Sequence, residues 1–306
     1  MLTAKTLKGV WALVATPWTD DDHLDDQALH DDVTYLCGAG LDGLYTTASS
    51  GEFFAVDDGE FRRLVRIVLD AAKPTNTPVQ VCCAASDTRG FLRRASFAVE
   101  AGCAAVQVIL PCYIALTKAE ALDFFRDAAR VCGRTPLMHY NTANAKLTFE
   151  AEDYRRVVEE VPTLIGTKQP RGQPLWFANL CRQTPELSHF TAEYTYAADM
   201  AGGARGVYSW LAVTNPRLAL HWHRACEGGD WNEAVRVQGL VNRFKNEVKQ
   251  CWAGQSDAAV NKADAALNPN IRCGLRVRAP YRSCTREDVD TARRWAEQHF
   301  PELLIW

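Results

Sequence analysis

The feature that most constrains the fold of this chain is a regular alternation of short apolar runs and longer amphipathic segments. Eight runs rich in β-branched residues occupy residues 10–16, 43–47, 79–84, 105–110, 136–140, 164–168, 188–191 and 206–210. Segments with helical periodicity follow most of them, at residues 25–38, 59–72, 89–101, 118–132, 151–160 and 173–183. Nearly continuous apolar runs are typical of parallel strands covered on both faces. The pattern therefore predicts an α/β fold, a closed (β/α)8 TIM barrel.

The pattern changes to helix alone in the last third of the chain. Helical periodicity without intervening strands covers residues 217–227, 231–252, 256–267 and 285–298. Thr285 is a suitable N-cap for the last of these helices, and Glu287 and Asp288 favour its first turn. We therefore predict a barrel at residues 1–215 followed by a C-terminal helical region at residues 216–306.

Charge and composition exclude several functional classes. The chain has 34 Lys and Arg against 37 Asp and Glu, a net charge of -3, so it lacks the basic excess that a nucleic-acid-binding protein needs. Its apolar runs are far shorter than the ~20 residues of a membrane helix, and no signal peptide is recognised. The 11 cysteines include no C-x-x-C pair. They are typical of buried thiols in a reducing cytoplasm, and no metal site is expected.

Lys168 is the most informative polar residue at a predicted strand end. Active sites of (β/α)8 barrels lie at the carboxyl ends of the strands, and Lys168 ends the sixth apolar run. Burial disfavours the charged form of a lysine and so supplies a neutral amine that can form a Schiff base with a ketone. The alternative is a lysine that reaches solvent or pairs with a carboxylate.

Two further strand ends carry candidate groups. Tyr140 ends the fifth run, and a phenol close to such a lysine can transfer protons; the alternative is an amphipathic core aromatic. Ser49 and Ser50 follow the second run, in a turn before Gly51. Hydroxyl and free N–H groups in such a turn can hold a carboxylate, although ordinary turn chemistry also explains serines there.

In their order along the chain, these segments resemble the dihydrodipicolinate synthase/N-acetylneuraminate lyase family of pyruvate-handling class I aldolases. The resemblance covers nearly the whole chain. The segments that carry it are ALVATPW at 12–18, ASSGE at 48–52, PCY at 111–113, YN at 140–141, GTK at 166–168, GVYS at 206–209, NP at 215–216, GDW at 229–231 and RAPY at 278–281. Their shared order is more specific than any single motif.

The resemblance implies a catalytic arrangement around Lys168. This residue would form a Schiff base with the ketone of pyruvate or of a pyruvate-derived 2-oxo acid, and Tyr140 would be the general acid/base. Ser49 would relay protons between Tyr140 and Tyr113. The tyrosine at the position of Tyr113 enters the site of a neighbouring subunit in this family, so the resemblance implies a homo-oligomer, a dimer or more usually a tetramer.

The resemblance also implies how a substrate is held. Ser50, with the turn formed by Ala48 and Gly51, would bind the carboxylate of the 2-oxo acid. Tyr208 would line the pocket through its backbone carbonyl, and Asn144 would contact substrate from the loop after the fifth strand. The expected partners are pyruvate and an aldehyde, and neither a metal nor an organic cofactor is implied.

Departures from the family pattern bear on the second substrate. Synthases of dihydrodipicolinate carry an arginine shortly after the catalytic Tyr-Asn pair, whereas Ala145 stands near that place here and Lys146 follows it. The glycine-acidic segment after strand seven is replaced by Ala192-Glu193-Tyr194. Tyr208 occupies a position that is usually aliphatic, with Trp210 close by in sequence. These differences argue against lysine biosynthesis and indicate a more aromatic site than that of the sugar-acid lyases.

The favoured hypothesis is a carbon–carbon lyase that joins or separates pyruvate and an aldehyde, with an aromatic or sugar-acid derivative as substrate. The ending Arg278-Ala279-Pro280-Tyr281 and the absent arginine also resemble the hydratase-aldolases of aromatic catabolism. Three alternatives stay open: a 2-oxo acid dehydratase or deaminase that uses the same imine, a dihydrodipicolinate synthase, and a non-catalytic barrel that binds a small acid.

Overall fold

A computed structural model of the protein describes residues 1–306, except for the side chains of residues 249 and 250. The strands are β1 (Gly9–Val14), β2 (Gly43–Thr46), β3 (Val79–Cys82), β4 (Ala105–Val108), β5 (Leu137–Tyr140), β6 (Leu164–Lys168), β7 (Ser188–Thr191) and β8 (Gly206–Ser209). Each strand pairs in parallel with the next along the chain, and β8 pairs with β1 to close the barrel. The predicted (β/α)8 barrel is confirmed.

Helices cover the barrel and continue beyond it. Those between strands are α1 (Asp26–Gly38), α2 (Asp58–Ala72), α3 (Thr88–Glu100), α4 (Lys118–Cys132), α5 (Ala151–Glu160), α6 (Pro174–Gln183) and α7 (Tyr196–Ala201). Those after β8 are α8 (Leu211–Thr214), α9 (Pro216–Gly228), α10 (Trp231–Val248), α11 (Asp257–Ala265) and α12 (Arg286–His299). Within the described part of the chain, no helix combines the length and the apolar character needed to cross a membrane.

Several predicted boundaries were wrong by a few residues. Strands β1, β3 and β4 each end two residues before the predicted limit. The residues beyond these ends are as buried as the strands themselves, so hydrophobicity does not distinguish the ladder from the start of the following loop. Helix α10 also ends earlier than predicted, at Val248. Helices α7 and α8 were missed because six and four residues are too few to show a helical period.

Large side chains fill the barrel interior where glycines on neighbouring strands leave room. A Cβ atom at Gly43 would lie 2.5 Å from the ring of Trp11, and one at Gly206 would lie 2.6 Å from the ring of Phe190. The apolar core is one connected cluster that runs from Leu7 to Leu303, so the C-terminal helices pack directly on the barrel. A division of the chain into two units at residue 215 stays a prediction.

The interior packing predicts a destabilising effect of Gly43→Ala. The added methyl group would overlap the indole of Trp11, which is 1% exposed. We expect the free energy of unfolding in urea to fall by about 1–3 kcal/mol. Gly239→Ala in α10 is the matched control, because a Cβ there meets nothing within 4 Å. Since alanine is the better helix former, this control should gain up to about 1 kcal/mol. Equal effects of the two changes would contradict the packing argument.

Candidate active site

Tyr140 and Lys168 end adjacent strands and are direct register partners. The Nζ atom of Lys168 lies 4.1 Å from the centroid of the Tyr140 ring. Behind them, the Nδ2 atom of Asn141 donates a hydrogen bond of 2.9 Å to Oε1 of Gln169. This bond joins the residues that immediately follow the two strand ends. The structure therefore brings together the two residues that the sequence placed at the centre of the site.

The amine of Lys168 is enclosed by aromatic rings. Lys168 is 8% exposed, and its Nζ atom lies 4.9 Å from the ring centroid of Tyr45 and 5.2 Å from that of Tyr208, in addition to Tyr140. Sequence reasoning missed Tyr45, because a strand buried on both faces gives no sign of which residues point inward.

Lys168 differs from two other deeply placed lysines, Lys262 and Lys245, in having no counter-ion among the described side chains. Lys262 pairs with Glu52 at 2.6 Å, and Lys245 pairs with Asp264. No carboxylate among the described side chains lies within ion-pairing distance of Lys168. Both alternatives raised by the sequence, solvent exposure and carboxylate pairing, are therefore excluded by the geometry.

Burial lowers the pKa of Lys168 from its ordinary value to about 8. The negative charge of Glu193, and more weakly Cys82 and Asp257, opposes this shift. At neutral pH, an amine with such a pKa is neutral roughly 300 times more often than an ordinary lysine. The neutral amine is the form that attacks a ketone in Schiff-base chemistry.

The phenol of Tyr140 is kept protonated. Burial and the negative charge of Asp257 raise its pKa to about 12, while hydrogen bonding to the side chains of Thr142 and Ser49 opposes the rise. Ser49 is therefore close enough to act on the phenol of Tyr140, and its part in a proton relay stays a prediction. A protonated phenol beside an amine that loses its proton near pH 8 places an acid next to a group that becomes a base above that pH.

The turn after β2 holds a strained backbone. Thr47 is fully buried with φ at 56°, a left-handed conformation that is rare for a β-branched residue. Its hydroxyl donates a hydrogen bond of 2.7 Å to the carbonyl of Cys82. A short 3₁₀ turn, Ser49–Gly51, follows. The first N–H groups of such a turn have no acceptor within it, so those of Ser49 and Ser50 are available to a ligand.

Glu52 anchors this turn to distant parts of the chain. It is fully buried, and its Oε1 atom accepts hydrogen bonds from Lys262 (2.6 Å) and from the indole of Trp18 (3.1 Å). Its Oε2 atom accepts a hydrogen bond of 3.0 Å from the backbone N–H of Arg278. Three segments that were separate motifs in the sequence therefore meet at one carboxylate, together with Lys262 of α11.

The C-terminal region contributes directly to the site. Asn261 of α11 donates a hydrogen bond of 3.0 Å to the hydroxyl of Ser50, and Asp257 of the same helix acts on the pKa values of Lys168 and Tyr140. The sequence predicted this region only as helices that follow the barrel. The available signal was Lys262, a charged residue within a run of alanines.

Tyr113 and Asn144 lie at the surface. Tyr113 is 81% exposed, and its carbonyl accepts a hydrogen bond of 2.6 Å from Nζ of Lys146. Asn144 is exposed, whereas Ala145 is 1% exposed. No hydrogen bond between described residues joins Tyr113 to Ser49 or Tyr140, so the predicted relay is not assembled within one chain.

The segment after β7 contains a buried carboxylate that is hydrogen-bonded to the backbone after β8. Glu193 is 3% exposed, and its Oε1 atom accepts hydrogen bonds from the backbone N–H groups of Trp210 (2.6 Å) and Leu211 (3.2 Å). The Trp210 ring stacks on Phe244 of α10 with centroids 6.0 Å apart. The aromatic wall beside Lys168 therefore comes from Tyr45 and Tyr208 rather than from Trp210.

Thiols and acidic groups do not assemble into a metal site. All 11 cysteines are free, and most of them are buried. Among the described residues, no group of three or more His, Cys, Asp and Glu side chains has the arrangement of a metal site.

Comparison with known proteins places the chain in a family. The model of the dihydrodipicolinate synthetase family matches residues 6–298. The chain therefore belongs to this family, and its predicted class, a lyase of the aldolase type on a (β/α)8 barrel, is confirmed.

Curated relatives carry two different names. The chain is 26% identical over 293 residues to 4-hydroxy-tetrahydrodipicolinate synthase of Aromatoleum aromaticum, covering 95% of this chain and 98% of the relative. It is 28% identical over 249 residues to N-acetylneuraminate lyase of Salmonella paratyphi B, covering 78% of this chain and 81% of the relative.

Solved structures agree on the fold. The sialic acid aldolase of Ruminococcus gnavus superposes with a TM-score of 0.88 at 20% identity, covering 98% of this chain and all of the other. The prophage protein YagE of E. coli K12, solved in complex with pyruvate, gives a TM-score of 0.87 at 19% identity, covering 95% of this chain and 98% of the other.

The anchoring of the turn predicts that Lys262→Met destabilises the fold. The substitution leaves the buried carboxylate of Glu52 without its counter-ion, and removing one partner of a buried pair costs about 3–5 kcal/mol. Arg63→Gln is the control, because its pair with Asp26 lies at the surface and its loss should cost less than about 1 kcal/mol. Urea unfolding of both variants measures the difference. A loss below 1 kcal/mol in Lys262→Met would show that this pair does not hold the turn.

Proposed function

We propose that the protein is a pyruvate-dependent class I aldolase whose Schiff-base lysine is Lys168. The observation that carries the proposal is a buried amine without a counter-ion, placed 4.1 Å from the ring of a protonated tyrosine at the mouth of the barrel. Family membership supports the reaction class, and the geometry supports the assignment of the residues.

The chemistry follows from these two groups. The neutral Nζ atom of Lys168 attacks the ketone carbon, and the carbinolamine loses water to give an iminium ion. Tyr140 donates its phenolic proton to the departing hydroxyl of the carbinolamine. In the cleavage direction, the resulting phenolate accepts the proton of the C4 hydroxyl, the C3–C4 bond breaks, and its electron pair moves into the iminium ion to form an enamine. The aldehyde leaves, C3 gains a proton, and water releases pyruvate from the lysine.

The turn after β2 supplies the carboxylate site in this proposal. The hydroxyl of Ser50 already accepts a hydrogen bond from Asn261, so its own proton is free to be donated to a ligand oxygen. The backbone N–H groups of Ser49 and Ser50, between Ala48 and Gly51, add two more donors. A carboxylate held there places the adjacent ketone of a 2-oxo acid toward Lys168.

A second subunit completes the proton relay in our proposal. Ser49 lies beside Tyr140, but Tyr113 is directed to the surface together with Ile114, which is 72% exposed. Two adjacent, exposed apolar side chains suit a subunit interface. We therefore assign Tyr113 to the site of a neighbouring chain in a homo-oligomer. The free thiols further support a reducing compartment, the cytoplasm.

The aldehyde partner is assigned only by class. The exposed loop with Asn144 has no arginine. Lys146 of that loop donates a hydrogen bond to the carbonyl of Tyr113. This arrangement favours a sugar-acid or aromatic aldehyde over a second dicarboxylic substrate. A retro-aldol screen with pyruvate detection, over sugar acids, hydroxy-oxo acids and benzalpyruvates, separates these classes. Loss of water or ammonia without release of an aldehyde would instead indicate the dehydratase or deaminase alternative.

The first prediction of the proposal is a covalent adduct at Lys168. Pyruvate plus borohydride should add the mass of one pyruvate less one water plus two hydrogens, and peptide mapping should find that mass at Lys168. Lys168→Ala should form no adduct, whereas Lys8→Ala, at an exposed lysine paired with Glu227, should react like the wild type. An adduct in Lys168→Ala would remove Lys168 from this role.

The second prediction concerns pH. Because the neutral amine is the nucleophile and its pKa is about 8, imine formation should accelerate about tenfold per pH unit below that value and become constant above it. To measure these rates, the protein is incubated with pyruvate for set times at each pH, and the imine is then trapped with borohydride in one common buffer. A profile that keeps rising to pH 10 would mean that the amine is solvated like an ordinary lysine.

A further inference from the structure

Tyr208 reaches across the interior of the barrel. Its ring meets that of Tyr45 edge-on at 4.8 Å and lies 5.1 Å from that of Phe190. Its hydroxyl donates a hydrogen bond to Oε1 of Gln80 on β3. Strands β8 and β3 are separated by β1 and β2, so this bond crosses the barrel instead of following the ladder.

The side-chain amides near Tyr208 are deeply buried. Gln80 and Gln107 are both fully buried, and Tyr208 is 2% exposed. The Nε2 atom of Gln80 and both side-chain polar atoms of Gln107 have no hydrogen-bond partner among the described residues. Buried amides without partners are destabilising compared with apolar side chains of the same shape. The amides at this place are therefore poorly explained by stability alone.

The ring that Gln80 holds through the Tyr208 hydroxyl faces the proposed nucleophile. The Nζ atom of Lys168 lies 5.2 Å from the centroid of the Tyr208 ring. On the neighbouring strand β7, Phe190 is the register partner of Lys168. Since no counter-ion fixes Lys168, its surrounding rings determine where the amine lies. A Tyr208 ring free to shift would give the flexible lysine side chain other rotamers.

We propose that Tyr208 is a positioning residue for Lys168, and that the hydrogen bond from its hydroxyl to Gln80 fixes its ring as the wall against which the amine lies. This inference rests on the proposed function and adds a role for the Tyr208 side chain, which is distinct from a backbone contact with substrate. The Tyr208 hydroxyl need not touch the substrate for this effect.

The test uses Tyr208→Phe, which keeps the ring and removes the tether. We expect imine formation with pyruvate at pH 7 to slow by about fivefold to tenfold, because small displacements of a reacting group have large effects on rate. A loosened wall also admits water, so the midpoint of the pH profile should move upward, toward the ordinary lysine value. Gln80→Leu removes the acceptor instead and should produce the same two changes.

The double variant and a matched control separate positioning from general destabilisation. If both changes act through one hydrogen bond, Tyr208→Phe with Gln80→Leu should be no slower than the slower single variant. Tyr196→Phe is the control: Tyr196 is also fully buried, and its hydroxyl is hydrogen-bonded to Nδ1 of His223, but it lies on α7. This control should lose stability and keep the wild-type midpoint.

The outcomes distinguish the two proposals. Wild-type protein that forms no adduct with pyruvate would overturn the proposed function itself. Wild-type protein that forms the adduct, together with folded Tyr208→Phe and Gln80→Leu variants of unchanged rate and midpoint, would overturn only the positioning role. Thermal unfolding followed by circular dichroism establishes which variants are folded, and either single variant suffices for the decision.

Discussion

The arrangement of the site depends on the burial of one amine without a counter-ion. Three tyrosine rings surround Nζ of Lys168, and each such contact favours the ammonium form by only about 0.5–2 kcal/mol. Desolvation of an ammonium group costs several kcal/mol and therefore prevails, in agreement with the lowered pKa. Lys262, at similar depth, faces a carboxylate. The same protein thus buries one lysine beside an anion and another as a reactive base.

The second constraint is the strained turn that the carboxylate of a substrate would occupy. Thr47 and Glu52 both have positive φ, at 56° and 57°, so the two residues that bound this turn are held in a strained backbone conformation. The strain is offset outside the barrel, where Glu52 meets Lys262 and the backbone of Arg278. A barrel without its C-terminal helices would lose these contacts. The helical region is therefore part of the active-site structure and not only a cover.

Sequence periodicity was sufficient for the barrel and placed Lys168 and Tyr140 at its mouth. The family resemblance was needed to single out these two residues, and neither revealed their surroundings. Lys168 and Tyr140 could be placed because polar residues that end apolar runs must face the mouth of a parallel barrel. Tyr45 could not, since both faces of β2 are buried and inward and outward positions look alike. The hydrogen bond from Asn261 to Ser50 joins residues 211 positions apart, and no local pattern encodes such a contact.

The filled interior also limits where a substrate can extend. Four buried aromatic side chains occupy the space below Lys168, so the barrel is closed on that side. They are Trp11, Tyr45, Phe190 and Tyr208, each at most 4% exposed. An imine formed at Lys168 can therefore lengthen only toward the mouth. Toward the mouth lie Glu193 in the loop after β7 and Asp257 in α11, whose charges act on the pKa of Lys168, and the exposed loop after β5. Differences in these three segments, more than in the barrel itself, should determine which aldehyde a member of this family accepts.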